Sequence, residues 1–513
     1  MKKLLSVLLV LTMVASLFVI VPTADTAATD YEGNVGYLGE AGMASDTDYS
    51  DYIEIATEAD LLKIADDYCE EKLVLTADIT VTTAWEQVEW FAGVLDGNGH
   101  TITFTQETTD AMFDCLDIFS IVKNLTIDGI NVKVDAANAS GFAKSAEGQI
   151  WNVNFTNTTI TGTSTNVSLI NTNNGTISHV SVDTTVTGKG NGASALVLSN
   201  RGVISYCASF GKVDSNFHVG GIASENAATG KIYSCLNFAT VIARHSRAAG
   251  ISASNVAGNI IKDCGNYGTV ISFREGDAAN IDSKVCGIGV CENDSAYTIE
   301  NCFNAGTIIA KNNCVNIGGI TSRSNNIDLY VKNCYSVENL LNRYIDETYT
   351  TYTLYADNMV DGVNETEAPL DGNSGNTNGT LVTAAEFASA EMVTKLGSAF
   401  VLNTGDDAEA YPIDLAADTA TEPMLPEEEE DDQGGNEEQG GQQGGTTNPP
   451  SGGDDKNNET EPTTEPVTEP TTNAPAPTTE EESGCGSVIG VASIGLIAMA
   501  AIAPVVLRKK KED

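Results

Sequence analysis

The sequence predicts an all-β fold: a single-stranded parallel β-helix of about eight or more coils. Three observations carry that prediction. The first is a phrase that occurs eight times: an aliphatic residue, two variable residues, Leu, Val or Cys, then a second aliphatic about six residues on. Its copies begin at Val122, Ile150, Ile177, Ile204, Ile232, Ile261, Ile299 and Val331. Such a period marks a solenoid, whose units bury their apolar faces only against their neighbours. The second is a small apolar cluster elsewhere in each unit: SGFA at 140–143, SLIN at 168–171, ALVL at 195–198, GGIA at 220–223, AGIS at 249–252, CGIG at 286–289 and GGIT at 318–321. The third is a column of equivalent positions, filled by Leu125, Val153 and Val180 in early copies and by Cys207, Cys235, Cys264, Cys302 and Cys334 in later ones.

Two to three short strands per unit, broken by Asn, Gly, Ser and Asp, describe one coil of a β-helix rather than a helical repeat. Adjacent coils then lie about 4.8 Å apart, and equivalent residues stack into ladders. Asn and Gly supply corners that need positive φ. A column that accepts Leu, Val or Cys alike is a buried apolar position, where a thiol behaves as a small hydrophobe. Stacked cysteines form a row and offer no tetrahedron to a metal. Cys286 and Cys291, in VCGIGVC, can form a local bridge.

Residues 1–28 begin with Lys2 and Lys3, continue as an apolar run and end near Ala24, Ala27 and Ala28. That is the layout of a secretory signal peptide. Residues 52–120 hold an N-terminal cap and the first coils. Thr57-Glu58-Ala59-Asp60 opens a helical pattern through Leu61, Leu62, Ile64, Ala65 and Tyr68, suited to covering an exposed sheet edge. The repeats occupy 121–345. A capping segment follows at 346–420, where Thr383-x-x-Glu386 forms a capping box before Phe387, Met392, Val393 and Leu396.

Residues 421–483 are mostly Glu, Asp, Gly, Gln, Thr and Pro with almost no large apolar residue, and cannot bury enough surface to offset their ordering entropy. They are expected to be a disordered, extended acidic stalk. Ser487–Leu507 is uncharged and long enough to cross a bilayer as one transmembrane helix. Arg508 and Lys509–Lys511 follow, which places the tail 508–513 in the cytoplasm and the body outside. The expected location is the cell surface, anchored in the plasma membrane. The formal charge of -45 argues against binding nucleic acid or an anionic lipid surface by bulk attraction.

The run DLL…LTADIT…W…FAGVLDGNGHTI, the repeated IxNCxNxGTI and the GGI clusters resemble the GLUG-type, pectin-lyase-like right-handed β-helix proteins of Gram-positive, clostridial surfaces. The tail AAEFASAEMVTKL…YPIDL at 384–415 is similar to the segment that closes such domains. The resemblance covers roughly 52–415 and implies the fold. It leaves function open, because the fold carries lyases, hydrolases, adhesins and wall-associated spacers. The end of the chain, SGCG at 483–486 with the apolar span and RKKKED, resembles anchors of clostridial surface proteins, although no LPxTG precedes the span.

GLUG proteins also appear beside IgA-protease-type metallopeptidases, but none of the four histidines (His100, His179, His218, His245) belongs to an HExxH. The G-x-S-x-G elbow and the P-loop are also absent. Asp96-Gly97-Asn98-Gly99-His100 is expected to be a coil corner. One cluster points to ligand chemistry: Phe217-His218, then Arg244-His245-Ser246-Arg247, then Phe273-Arg274-Glu275, then Lys311. Each falls 12 to 15 residues beyond its coil's start, so stacking should draw them into a stripe. Three of the seven arginines lie there. Arg and aromatic side chains on a rigid edge suit carboxylated or sulfated glycans. The structural alternative is that they balance neighbouring acids such as Asp214 and Asp277.

The favoured reading is a non-catalytic display, adhesion or glycan-binding module that needs no cofactor and meets an extracellular glycan or a neighbouring cell. The alternative is a polysaccharide lyase or glycoside hydrolase acting on acidic glycans. A lyase would use Arg247 or Arg274 as base, with Glu275 and Asp277 as Ca2+ ligands.

Overall fold

The computed structural model describes residues 31, 33–44, 47–135, 138–163, 165–272, 283–291, 297–311, 316–322, 330–338, 341–344, 379–418 and 422–423. These residues form a parallel β-solenoid. Its first sheet has 25 strands and its second 14. The eight starting residues of the repeated phrase are direct partners from coil to coil, Val122 to Ile150 to Ile177 to Ile204 to Ile232 to Ile261 to Ile299 to Val331. The ladder continues upstream through Leu95, Leu73 and Ile53, where the sequence phrase is no longer recognisable.

One coil shows how composition dictates the path. Val203–Ser205 runs along the first sheet, and the chain turns at Tyr206 (φ 50°). It then returns to that sheet as Ala208–Ser215, crosses to the second as His218–Gly220 and Ala223–Asn226, and re-enters at Lys231–Tyr233. The turning residue, second of the phrase's two variable positions, has positive φ in all eight copies: Asn124, Asn152, His179, Tyr206, Ser234, Asp263, Asn301 and Asn333. Asn and Asp tolerate this conformation best. The run Asp96–His100 makes the corresponding corner upstream, with Asn98 at φ 48°.

Side-chain ladders fasten successive coils. The column Leu125, Val153, Val180, Cys207, Cys235, Cys264, Cys302 is fully buried and Cys334 is 4% exposed. All five of these cysteines are free thiols. Cys286 is likewise free and buried, so no bridge joins it to Cys291. Two rows of amides run parallel to this column: Asn237 to Asn266 to Asn304 at 2.7 and 2.8 Å, and Asn173 to Asn200 to Asn226 at 2.8 and 2.9 Å. Every member is fully buried, and each side-chain NH2 finds an acceptor, as burial of a polar group requires. Asn173 Oδ1, at the start of the second row, accepts no hydrogen bond from the described residues.

Thr57 caps the helix Glu58–Leu61, and a 3-10 turn, Leu62–Ala65, continues it. Leu61 and Ile64 enter the solenoid core. At the far end the capping box of Thr383 and Glu386 is formed, opening helices Ala384–Phe387 and Ala390–Leu396. Thr380–Val382 adds a parallel strand beside Tyr335–Val337, extending the last coil. The remainder of this C-terminal arm lies along the flank of the solenoid and runs back toward the first coils. Phe387 and Phe400 pack on Phe303, and Tyr411 packs on Tyr267 and Phe238. Asp418 then approaches His179, and Glu422 reaches Lys123.

The residues at 33–43 run beside the arm, hydrogen-bonding Tyr206, Ser181 and Asn152 in turn. Tyr31 and Asn34 meet Asp414, so the arm and the N-terminal segment are tied together.

The segments 1–28, 487–507 and 508–513 lie outside the described residues, as does the stalk except for residues 422 and 423. Glu422 departs from the stalk expectation, because its side chain is only 5% exposed and the ion pair with Lys123 holds it against the body. Among the described residues no helix is long and apolar enough to cross a membrane.

Candidate functional site

The basic residues singled out in the sequence gather where each coil leaves the first sheet for the second. Backbone hydrogen bonds there set the stacking: Arg244 N–H donates to Ser215, His245 N–H to Asn216 and Arg247 N–H to Phe217. The Phe217 and His245 rings therefore meet, with centroids 5.6 Å apart. His218 and Arg247 are direct partners on consecutive strands of the second sheet. Phe217, His218, Arg244 and His245 are all half-buried, so each presents an edge to solvent.

Arg244 is fixed by a forked contact to Asp214, with Nε 2.8 Å from Oδ1 and Nη2 2.7 Å from Oδ2. Lys212 lies 3.5 Å from the same carboxylate. The balancing role foreseen for Asp214 is therefore formed at Arg244, and it holds the guanidinium in one orientation. Exposed Lys189 lies one coil earlier, its carbonyl accepting from Asn216 Nδ2 at 2.8 Å. Around this corner stand Lys189, Lys212 and Arg244 together with the imidazoles of His218 and His245, and Asp214 is their neighbouring acid. In a chain of charge -45 such a concentration is unusual.

Arg247 is oriented differently. It is 8% exposed, and the next rung of its row, Lys284, is fully buried. The row therefore runs His218, Arg247, Lys284, Asn316. Lys284 falls outside the 12 to 15 residue spacing from the first phrase that draws the other basic residues together. Counting back from the second phrase finds it, since His218, Arg247, Lys284 and Asn316 each stand four residues before the Ile of a GI pair. Lys311 ends the strand Ile308–Lys311 in the first sheet, one residue beyond Ala310. Ala310 stacks on Ser272 and, through it, on Ala243, so the backbone of Lys311 continues the row of Arg244. Phe273 and Arg274, with Glu275 and Asp277, lie outside the described residues.

A second group of polar residues sits on the positive-φ corners, beneath the arm. His179 is fully buried between Trp151 and Tyr206, at centroid distances of 4.3 and 5.1 Å. Its Nδ1 is 3.0 Å from Ser178 Oγ, and its Nε2 is 3.5 Å from Asp418. Burial lowers its pKa to about 4, against a smaller opposing pull from Asp418. The sequence of contacts Ser178, His179, Asp418 superficially matches a hydrolase triad. However, Ser178 is 5% exposed and Trp151 and Tyr206 cover the imidazole, so a substrate carbonyl has no approach. Among the described residues no cluster of three or more His, Cys, Asp or Glu could hold a metal ion.

No family model and no curated protein matches the chain. A solved structure described as that of a proposed immunoglobulin A1 protease from Bacteroides ovatus is similar in part, with 15% sequence identity and a TM-score of 0.40. The similarity covers 76% of this chain and 100% of that one.

Proposed function

We propose that this chain is a non-catalytic surface module: a rigid solenoid, exported and membrane-anchored, that holds an acidic glycan at its basic corner. The observation that carries the reading is the gathering of Lys189, His218, Arg244 and His245 beside Phe217, with Asp214 orienting Arg244. A guanidinium already held in place loses little freedom on binding, and a planar fork suits carboxylate or sulfate. The Phe217–His245 pair offers a ring edge for a sugar face. Export rests on the leader at 1–28, and anchoring on the apolar span 487–507 with its basic tail.

The test uses affinity electrophoresis of the full exported chain through gels carrying polygalacturonate, a sulfated glycan or a neutral glucan. The two acidic polymers should retard the protein, and added salt should weaken the retardation. Losing one charge-assisted contact of about 1.5–3 kcal/mol is worth roughly 10- to 150-fold in affinity. Arg244→Ala with His245→Ala should therefore lose at least tenfold, while Lys332→Ala, at a distant ion pair with Glu300, should not. Equal retardation by the neutral polymer, or an unaffected double variant, would contradict the assignment.

A further inference from the structure

Away from the basic corner, the first coils bury a lysine between two carboxylates. Asp96 and Lys123 are direct partners on neighbouring parallel strands. Lys123 Nζ lies 3.4 Å from Asp96 Oδ2 and 2.5 Å from Glu422 Oε1. The three side chains are 0%, 4% and 5% exposed for Asp96, Lys123 and Glu422. One ammonium facing two carboxylates leaves an excess negative charge in a buried site, an expensive arrangement for a simple ion pair.

The polar atoms around Asp96 are placed for chemistry at its carboxyl carbon. Asn98 N–H donates to Oδ1 at 2.9 Å and Asn124 Nδ2 donates to the same oxygen at 3.3 Å. Tyr49 OH donates to Oδ2 at 3.1 Å. Donors converging on a carboxyl oxygen stabilise the negative charge of a tetrahedral intermediate. Glu422 is held separately, by Ala44 N–H at 2.5 Å and Asn124 Nδ2 at 2.9 Å, with Oε1 against the ammonium as a proton acceptor would be.

We propose that Lys123 and Asp96 condense into an intramolecular amide, with Glu422 carrying the proton. Glu422 takes a proton from the Lys123 ammonium, and the neutral amine attacks Asp96 Cγ. The new N–C bond produces an oxyanion that faces Asn98 N–H and Asn124 Nδ2. Glu422 then returns its proton, together with one from nitrogen, to the departing oxygen. The C–O bond breaks and one water leaves. Ammonium and carboxylate become a neutral amide and water, so atoms and charge balance without any oxidant or further reactant. Burial lowers the basicity of Lys123, but Glu422 and Asp96 outweigh it and raise the pKa overall. The amine is therefore freed by transfer within the cluster, not by loss to solvent. Holding Lys123 Nζ 3.4 Å from the Asp96 carboxylate in one geometry supplies the effective concentration that amide formation in water lacks.

The test is a tryptic map of the denatured, purified full chain. Lys72, Lys123 and Lys133 are consecutive tryptic sites, so the unlinked chain yields peptides 73–123 and 124–133. The linked chain resists cleavage at Lys123 and yields 73–133 lighter by one water, with fragmentation placing the link between Asp96 and Lys123. Glu422→Gln keeps the shape of the site without its proton acceptor and should restore the two separate peptides, as should Lys123→Arg. Wild type giving 73–123 and 124–133 at full mass would overturn the proposal. So would a water deficit that survives in Lys123→Arg, which would belong to dehydration elsewhere, such as succinimide formation at Asp96-Gly97.

Discussion

Replacing Cys264 by Val, in the middle of the thiol column, should leave the protein almost as stable as before. Cys264 is fully buried, and its thiol donates to the Lys262 carbonyl at 3.2 Å. That carbonyl already accepts Ser234 N–H from the neighbouring coil at 3.0 Å. Losing the thiol therefore leaves the Lys262 carbonyl paired, and the cost is weak sulfur hydrogen bonding there and, at 3.8 Å, to the Ile232 carbonyl, about 1 kcal/mol. Valine adds apolar volume, which contributes up to about 0.8 kcal/mol per buried methylene if it fits and opposes stability if it crowds. Valine already fits three and four coils away, because Val180 and Val153 fill the same column as direct partners. The net change should lie within about 1.5 kcal/mol of zero.

The same logic covers Cys235, Cys302 and Cys334, whose acceptor carbonyls at Tyr233, Glu300 and Lys332 also receive N–H groups from Tyr206, Asp263 and Asn301. Burial raises the Cys235 and Cys302 thiols well above the ordinary value, so they are not reactive as thiolates. Urea titration of wild type and Cys264→Val followed by circular dichroism measures the first claim, and thiol labelling of folded and unfolded protein measures the second. A loss above 3 kcal/mol, labelling in the folded state, or a mapped disulfide within the column would refute this reasoning.

Neutral His179 is favoured in the fold because its pKa falls from the ordinary 6.5 to about 4. The unfolded chain binds that proton first, so this stability is present above pH 6.5 and is lost as pH falls toward 4. The loss is about 3 kcal/mol. Comparing denaturation at pH 7 and pH 4 for wild type and His179→Asn checks it, since Asn also accepts positive φ and the variant should lack this component. Tyr267→Phe removes the hydroxyl that donates to the Ile413 carbonyl at 2.6 Å and accepts Ile413 N–H at 3.1 Å. It should loosen the arm by about 1–3 kcal/mol, read as faster hydrogen exchange at 411–415 than in the solenoid core. External protease on intact cells should remove the body while an antibody finds RKKKED only after permeabilisation, with first cuts beyond Glu422; surface detection of RKKKED would reverse the orientation.

The solenoid was legible because its interactions are local in period. Ile204 meets Ile177 and Ile232 through a repeat that can be counted, and the Cys column follows from the same count. The two helical starts at Thr57 and Thr383 were legible because capping is written within four residues. The arm was not, since Tyr411 on Phe238 and Glu422 on Lys123 link segments hundreds of residues apart without periodicity. Composition alone placed Glu422 in a stalk, where a lysine waiting on the first coils cannot be seen. The site was half legible: proximity of Phe217 to His245 and of His218 to Arg247 followed from spacing. The burial of Arg247 did not, because the direction of a side chain at a corner depends on how the chain turns between sheets.

The central claim is that this solenoid holds an acidic glycan without cutting it. One sample decides both halves: wild type incubated with polygalacturonate and Ca2+, assayed for bound polymer by sedimentation and for chain length by size-exclusion chromatography. The account predicts polymer cosedimenting with the protein, release at high salt, and unchanged chain length with no unsaturated uronate. Shortened chains carrying unsaturated ends, formed by wild type and not by Arg244→Ala with His245→Ala, would contradict it and make the corner a lyase site.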